Sequence, residues 1–292
     1  MFDTDKLNSF NWINVAHPDH DDFSRLQRYY DIEEDTITDI LDPDEQSRVE
    51  TEDDYKNIIV RFPIVNRETE TAWHTEPLSI IYAPNRVITI CRKRCDALDK
   101  IKSREKDSRE MLILNALYYI SESYLKSLKE LNRKVFTAKT NLQKKISKSD
   151  LMQLLEIENS YTLYMSGIKG NIGVVEKLEK IRAFKATEDL EDLLEDVKIE
   201  LSQASEIITS YSKMLRAVKD TFYSATQIDA NLYINRLTIW NIILMIPTII
   251  VGYYGMNVAL PFAGHSHAAL WIFLMILGFV GIFATIWWRK RH

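Results

Sequence analysis

Between Leu237 and Tyr254 the chain carries no formal charge. As a helix, those residues rise about 27 Å, close to the thickness of a bilayer's hydrocarbon core. The run is not uniformly apolar. Asn231, Thr238, Asn241, Met245, Thr248 and Gly252 follow one another at steps of three, four or seven, so they share one helix face. Lipid cannot satisfy the hydrogen bonds of such a stripe. It must face protein or water, as a helix-packing face or as the lining of a pore, and spacing alone leaves both open.

A second apolar stretch runs from about Ala268 to Trp288. Gly278 and Gly281 within it permit close helix contact, and Trp271, Trp287 and Trp288 lie near its ends, where aromatic belts form. The connecting loop, Gly255 to His267, has no Lys or Arg, whereas Arg236 precedes the first stretch and Arg289-Lys290-Arg291 follows the second. The positive-inside rule predicts both termini in the cytoplasm and the loop outside. A mean hydropathy of -0.21 makes the membrane part a minority of the 292 residues. The start, Met1-Phe-Asp-Thr-Asp-Lys, reads as neither a secretory signal nor a transit peptide, which predicts a multi-pass protein of a bacterial plasma membrane.

The soluble part changes character near residue 100. Before it, the sequence predicts strands at Phe10–Val15, Asn57–Val65, Leu78–Tyr82 and Val87–Cys91, a turn at 83–86, and helices at Asp19–Tyr30 and Ile37–Leu41. That alternation predicts a small α/β domain over 1–100. Beyond it, Ser103–Leu131 and Leu151–Phe184 carry apolar stripes of long antiparallel helices, the second with a weak point at Gly167–Gly173. Cys91 and Cys95 have no histidine beside them and read as reduced structural thiols.

From Glu188 to Ile246 there is no Gly and no Pro. Leu190, Leu194, Val197, Leu201, Ala204, Ile208, Tyr211, Leu215, Val218, Phe222 and Ala225 form a heptad seam that wants helical partners on one face and water on the other. Glu188, Asp189, Glu191 and Asp192 crowd its start, where the helix dipole favours anions. No breaker separates seam from membrane run, so one helix from 188 to 253, about 100 Å long, is expected.

Tyr254-Gly255-Met256-Asn257, placed at the end of the first of two C-terminal spans, resembles the signature of the CorA family of magnesium transporters. The likeness extends through Asn231, Leu237-Thr238, Pro247-Thr248 and Gly252, and Asp42-x-Asp-Glu, Arg48-Val-Glu and Asp53-Asp54-Tyr55 resemble the family's N-terminal domain. The resemblance implies an α+β fold built as a homopentameric funnel. Its parts would be a cytoplasmic α/β domain (1–100), antiparallel helices (101–187), a stalk (188–236), transmembrane helix 1 (237–254), an extracellular loop (255–267), transmembrane helix 2 (268–288) and a basic cytoplasmic tail (289–292).

The resemblance further implies Mg2+ influx, with Co2+ and Ni2+ as other cargo. Tyr254, Gly255, Met256 and Asn257 would form the selectivity filter, with Asn257 holding the hydrated ion. The stripe from Asn231 to Gly252 would line the pore, and Ile234 and Leu237 would close it as an apolar gate. Asp220 would bind regulatory Mg2+ between subunits, with a second carboxylate drawn from Asp35, Asp39, Asp42, Asp53 or Asp54. Magnesium sheds water slowly, so neutral oxygens that hold the hydrated ion suit its conduction. No Asp or Glu follows Asp229, in keeping with that chemistry. Family members often carry an acid in the outer loop; here His265-x-His267 stands instead, a pair able to bind softer ions such as zinc.

Two other readings remain at this stage: a zinc transporter of the related ZntB type, and a membrane-anchored coiled-coil sensor that conducts nothing. The chain shows no Walker loop, dinucleotide glycine pattern or zinc-protease helix, so no enzyme is expected. A net charge of -5 argues against a nucleic-acid partner. Expected partners are further copies of the chain, membrane lipid and divalent cations.

Overall fold

The computed structural model describes residues 2–6, 10–65, 73–101, 108–144, 148–256 and 267–291. Asn257, His265 and the rest of the 257–266 loop therefore lie outside the described residues. The chain forms two compact units, one through Asp220 and one from Thr221 onward.

The first unit is built on a six-stranded sheet, β1 (Phe2–Lys6), β2 (Asn11–Ala16), β3 (Arg48–Thr51), β4 (Lys56–Val65), β5 (Trp73–Ala83) and β6 (Arg86–Cys91), in the spatial order β1-β2-β6-β5-β4-β3. Among the described residues only β2 and β6 pair in parallel. The crossover between them contains α1 (His20–Tyr30) and α2 (Glu34–Leu41). Asp19 caps α1 in a capping box: the Asp22 amide donates to Asp19 Oδ1 at 2.8 Å, and the Asp19 amide donates to Asp22 Oδ2 at 3.2 Å.

Strand alternation sends side chains to two cores. Ile13, Val15, Ile88 and Ile90 pack with Leu26 of α1 and Ile37 and Ile40 of α2. Trp12, Ile58, Val60, Phe62 and Ile80 face the other way, onto α3 (Asp96–Ile101), α4 (Arg109–Lys144) and α5 (Lys148–Leu178). The fold is α+β: helices cover both faces of a sheet that is mainly antiparallel.

Pro77 sits inside a central strand without loss of a ladder bond to β4. Pro77 of β5 lies opposite Arg61 and just before β6 begins to pair, at Leu78–Cys91. The Arg61 amide donates to Asn171 Oδ1 (2.9 Å), and Asn171 Nδ2 donates to the Arg61 carbonyl (2.7 Å), so both backbone groups point away from Pro77. Asn171 of α5 thus continues β4's pairing where β3 has ended. The Arg61 guanidinium donates to Pro43 and Thr75 carbonyls (2.9 and 2.7 Å) and to the Glu45 carbonyl, tying down the acidic turn before β3.

The expected weak point at Gly167–Gly173 is not there: α5 runs unbroken through it. A Cβ at Gly167 would overlap Tyr124 Oη, and one at Gly170 would stand 2.8 Å from Ser47 Cβ. These two glycines are thinned contact points that let α5 lie against the sheet, rather than breaks in the helix.

A single helix, α6 (Glu188–Tyr254, 67 residues), spans the stalk and the apolar run. Within the first unit, Leu190, Leu194, Val197, Leu201, Ala204, Ile208, Leu215 and Val218 are buried in the core shared with α4 and α5. The seam is thus covered by the chain's own helices. After a 3₁₀ turn (Arg182–Lys185), α6 packs back along α5, with Lys219 Nζ 2.5 Å from Glu158 Oε2. The second unit contains the end of α6 and α7 (Ala268–Arg291, 24 residues).

Candidate functional site

Among the described residues, the second unit has almost no buried side chains. Among the described residues α6 alone is long and apolar enough to cross a membrane, and its apolar window has no buried residue. The apolar stretch described in α7 is Leu270–Ile282. Trp240, Leu244, Ile249 and Val251 of α6, and Leu270, Trp271, Phe273 and Ile282 of α7, are each at least 60% exposed. A surface of this kind needs lipid or protein to cover it.

The half-buried residues give the helix a direction. On α6 they are Ile239, Ile243, Ile246, Pro247, Ile250 and Tyr254; on α7 they are Ile272, Ile276 and Val280. Both sets follow helical spacing, as the facing sides of a helix pair do. At 3.6 residues per turn, the α6 set lies about half a turn from the centre of the stripe formed by Asn231, Thr238, Asn241, Met245, Thr248 and Gly252. All six of those stripe residues are exposed. The stripe is therefore not the half-covered side of α6. Periodicity in the sequence located the stripe; it could not say which face would be covered.

The stripe's hydroxyls have a defined polarity. Thr238 Oγ1 donates to the Ile234 carbonyl at 2.9 Å, and Thr248 Oγ1 donates to the Leu244 carbonyl at 2.7 Å. Each hydrogen is engaged by the helix itself, which leaves the oxygen's remaining lone pairs facing out as acceptors. Asn231 and Asn241 add amide oxygens, with Asn231 Oδ1 3.5 Å from Gln227 Nε2. Near the middle, Pro247 lacks an amide hydrogen and still sits inside the helix. Membrane helices tolerate this where neighbouring groups satisfy the backbone. Sequence spacing gave no sign of these backbone bonds.

Of the remaining expected site residues, Ile234 and Leu237 are 59% and 52% exposed on the stripe's side. Gly255 follows the helix end, its amide donating to the Val251 carbonyl at 2.9 Å. A Cβ there would lie 3.1 Å from that carbonyl oxygen, and its φ is not in the left-handed region. Met256 is 54% exposed, and Tyr254 stacks edge-on against Tyr253 with ring centroids 5.5 Å apart.

Asp220 is exposed at the end of the first unit, and no group of three metal-ligating side chains occurs among the described residues. Its candidate partners are not equivalent. Asp39 Oδ2 lies 2.9 Å from Arg48 Nη2, and Asp42 Oδ1 accepts the Asp44 amide at 2.9 Å. Asp35, Asp53 and Asp54 are exposed, as is Asp42. Elsewhere in the first unit, burial pushes the Glu76 carboxyl up, but hydrogen bonds from His74 and Lys93 and the charges of Lys93 and Arg92 hold it at about 2. Burial pushes the Cys91 thiol up to about 12 and the Cys95 thiol higher still, so neither is poised to bind a metal as thiolate.

Three comparisons bear on these features. The chain is 21% identical to the cobalt/magnesium transport protein CorA of Methanocaldococcus jannaschii, covering 96% of this chain and 90% of that protein. The complete structure of the CorA magnesium transporter from the same organism superposes with a TM-score of 0.80 at 22% identity, over 95% of this chain and 90% of that one. The cytoplasmic domain of ZntB from Vibrio parahaemolyticus shares the fold more loosely, with a TM-score of 0.59 at 11% identity over 76% of this chain and 89% of that domain. The family model described as CorA-like Mg2+ transporter protein matches residues 8–291, almost the full chain, and the protein belongs to that family.

Proposed function

We propose that the chain forms a homopentameric channel for divalent cations, foremost Mg2+, in a bacterial plasma membrane. Both termini are cytoplasmic, and α6 and α7 both cross the bilayer. The observation that carries the reading is the exposed acceptor stripe on the side of α6 opposite its half-covered arc. A hydrated cation presents the hydrogens of its water shell outward. Thr238 and Thr248, whose own hydrogens are engaged by backbone carbonyls, offer it oxygen lone pairs. Five copies with α7 outward and the stripe inward would make successive acceptor rings at Asn231, Thr238, Asn241 and Thr248. Asn257, with Tyr254, Gly255 and Met256, would form the filter at the outer mouth.

Ile234 and Leu237 would close the pore by excluding water from an apolar ring. Inward movement of a divalent ion at 100 mV is favoured by about 4.6 kcal/mol, so no chemical energy source is needed. Mg2+ bound at Asp220 would hold the closed state, by bridging carboxylates that otherwise repel. Asp35, Asp42, Asp53 and Asp54, which are exposed, are better placed to share it than Asp39, whose carboxylate is paired with Arg48. The protein is a transporter rather than an enzyme.

Ion flux into liposomes tests this, with Mg2+, Co2+, Ni2+ and Zn2+ in competition. Saturable Mg2+ entry that Asn257→Ala abolishes or makes non-selective is expected. Absence of flux under every ion would favour a non-conducting sensor. A preference for Zn2+, lost on His267→Ala, would favour the second reading, suggested by His265-x-His267 and by the likeness to the ZntB domain.

A further inference from the structure

Between α5 and α6, inside the first unit, lies an open cavity of about 420 Å³ that the transport reading does not use. Lys169 enters it from α5, and Lys213 and Arg216 from α6. None of these three cations has a carboxylate partner among the described residues. The one acid on the lining, Glu158, is held by Lys219 at 2.5 Å. The site therefore has a surplus of positive charge on an otherwise acidic chain of net charge -5.

A second, independent feature sits in the same wall. Tyr161 lines the cavity, is 2% exposed, and its hydroxyl has no hydrogen-bond partner among the described residues. Buried hydroxyls without partners are uncommon, because their desolvation is not compensated. Its ring packs against Tyr211 at 6.4 Å between centroids. Burial raises the pKa of this phenol, so at neutral pH it remains a protonated hydrogen-bond donor. A neutral donor beside three cations suits an acceptor-rich anion and disfavours a metal ion.

We infer that this cavity binds a phosphate-bearing polyanion, an oligophosphate of the pyrophosphate or nucleoside triphosphate class. Arg216 is suited to bidentate contact with phosphate oxygens, the two lysines act as point charges, and Tyr161 donates to an inner oxygen. Three separate cations and room for more than a single phosphate favour a chain of phosphates over a monoanion. A ligand held there would join α5 to α6. The same chemistry could come from a lipid headgroup, so the source needs its own arm of the test.

The experiment uses the full chain in nanodiscs of phosphatidylcholine, with EDTA present, so it is independent of ion conduction. Calorimetric titration with sodium pyrophosphate, then with ATP, should show one saturable site per chain that weakens as salt rises. Lys213→Gln combined with Arg216→Gln, both exposed positions, should weaken binding at least about tenfold. Tyr161→Phe, which keeps the ring, should weaken it about threefold to tenfold. Unchanged melting temperatures without ligand would show that both variants fold. Discs containing phosphatidylglycerol separate the sources: retained pyrophosphate binding assigns a soluble oligophosphate, and its competitive loss assigns a headgroup. No saturable binding by either probe, or binding indifferent to both variants, overturns the inference. So does a double variant that changes the oligomeric mass while wild type binds no phosphate, since the cations would then serve contacts between copies.

Discussion

Glu76 is a buried acid that its neighbours keep charged. Its side chain is 4% exposed, with Oε1 3.1 Å from Lys93 Nζ and 3.3 Å from His74 Nε2. Its carboxyl is lowered from 4.5 to about 2, so the stability it adds is fully present above about pH 4.5 and disappears as pH falls through 2. Glu76→Gln should remove that share of the acid sensitivity. Thermal melts between pH 5 and 2 should fall less steeply for the variant, with a difference on the order of 2–3 kcal/mol at the top of the window. On the stripe, Thr248→Ser keeps the acceptor oxygen and Thr248→Val removes it at nearly constant shape. Liposome flux should survive the first change and fall with the second. Helical spacing in the sequence was enough to line up Thr248 with Asn241 and Asn231. The bond from Thr248 to the Leu244 carbonyl, which decides whether that hydroxyl gives or takes a hydrogen bond, depends on a rotamer that spacing does not encode.

At the scale of elements, what was legible followed what burial had to enforce. Strands β2, β4, β5 and β6 are covered on both faces, and their apolar content announced them. The two unforeseen strands, β1 and β3, are the edges of the sheet. Edge strands are short and tolerate charge, and Phe-Asp-Thr-Asp-Lys and Arg-Val-Glu-Thr carry little apolar pattern to read. Helix α6 was legible because nothing in its first 59 residues can break it. Helix α5 was misjudged because a glycine looks the same in sequence whether it interrupts a helix or allows a close contact. The two roles separate experimentally. Gly167→Ala places a Cβ against Tyr124 Oη and 3.4 Å from Arg61 Cβ, and should cost about 1–3 kcal/mol in denaturant unfolding. Gly173→Ala meets nothing within 4 Å and should stabilise by about 0.5–1 kcal/mol through helix propensity alone. Equal effects at the two positions would refute the contact explanation.

The whole molecule poses a problem that a single chain does not solve. One arc of α6 is half-covered in the second unit, and an exposed polar arc lies opposite, among apolar side chains suited to lipid. Polar oxygens facing hydrocarbon would be left without partners, whereas around a shared axis they would face water and a hydrated ion. Copies related by rotation meet this need for every chain at once, because a closed ring gives each the same surroundings. The proposed ring of five should appear in native mass spectrometry as five times 34.2 kDa, about 171 kDa with lipid removed. If Asp220 takes its ion between neighbouring copies, regulation belongs to the ring and not to the chain. Mg2+ should then slow proteolysis of the intact oligomer, and Asp220→Ala should abolish that protection while leaving the mass at five copies. Protection that persists in the Asp220→Ala ring would move the regulatory ion elsewhere. Protection in a monomeric preparation would mean that one chain suffices to bind it, which the exposed Asp220, outside any group of three ligating side chains, gives no reason to expect.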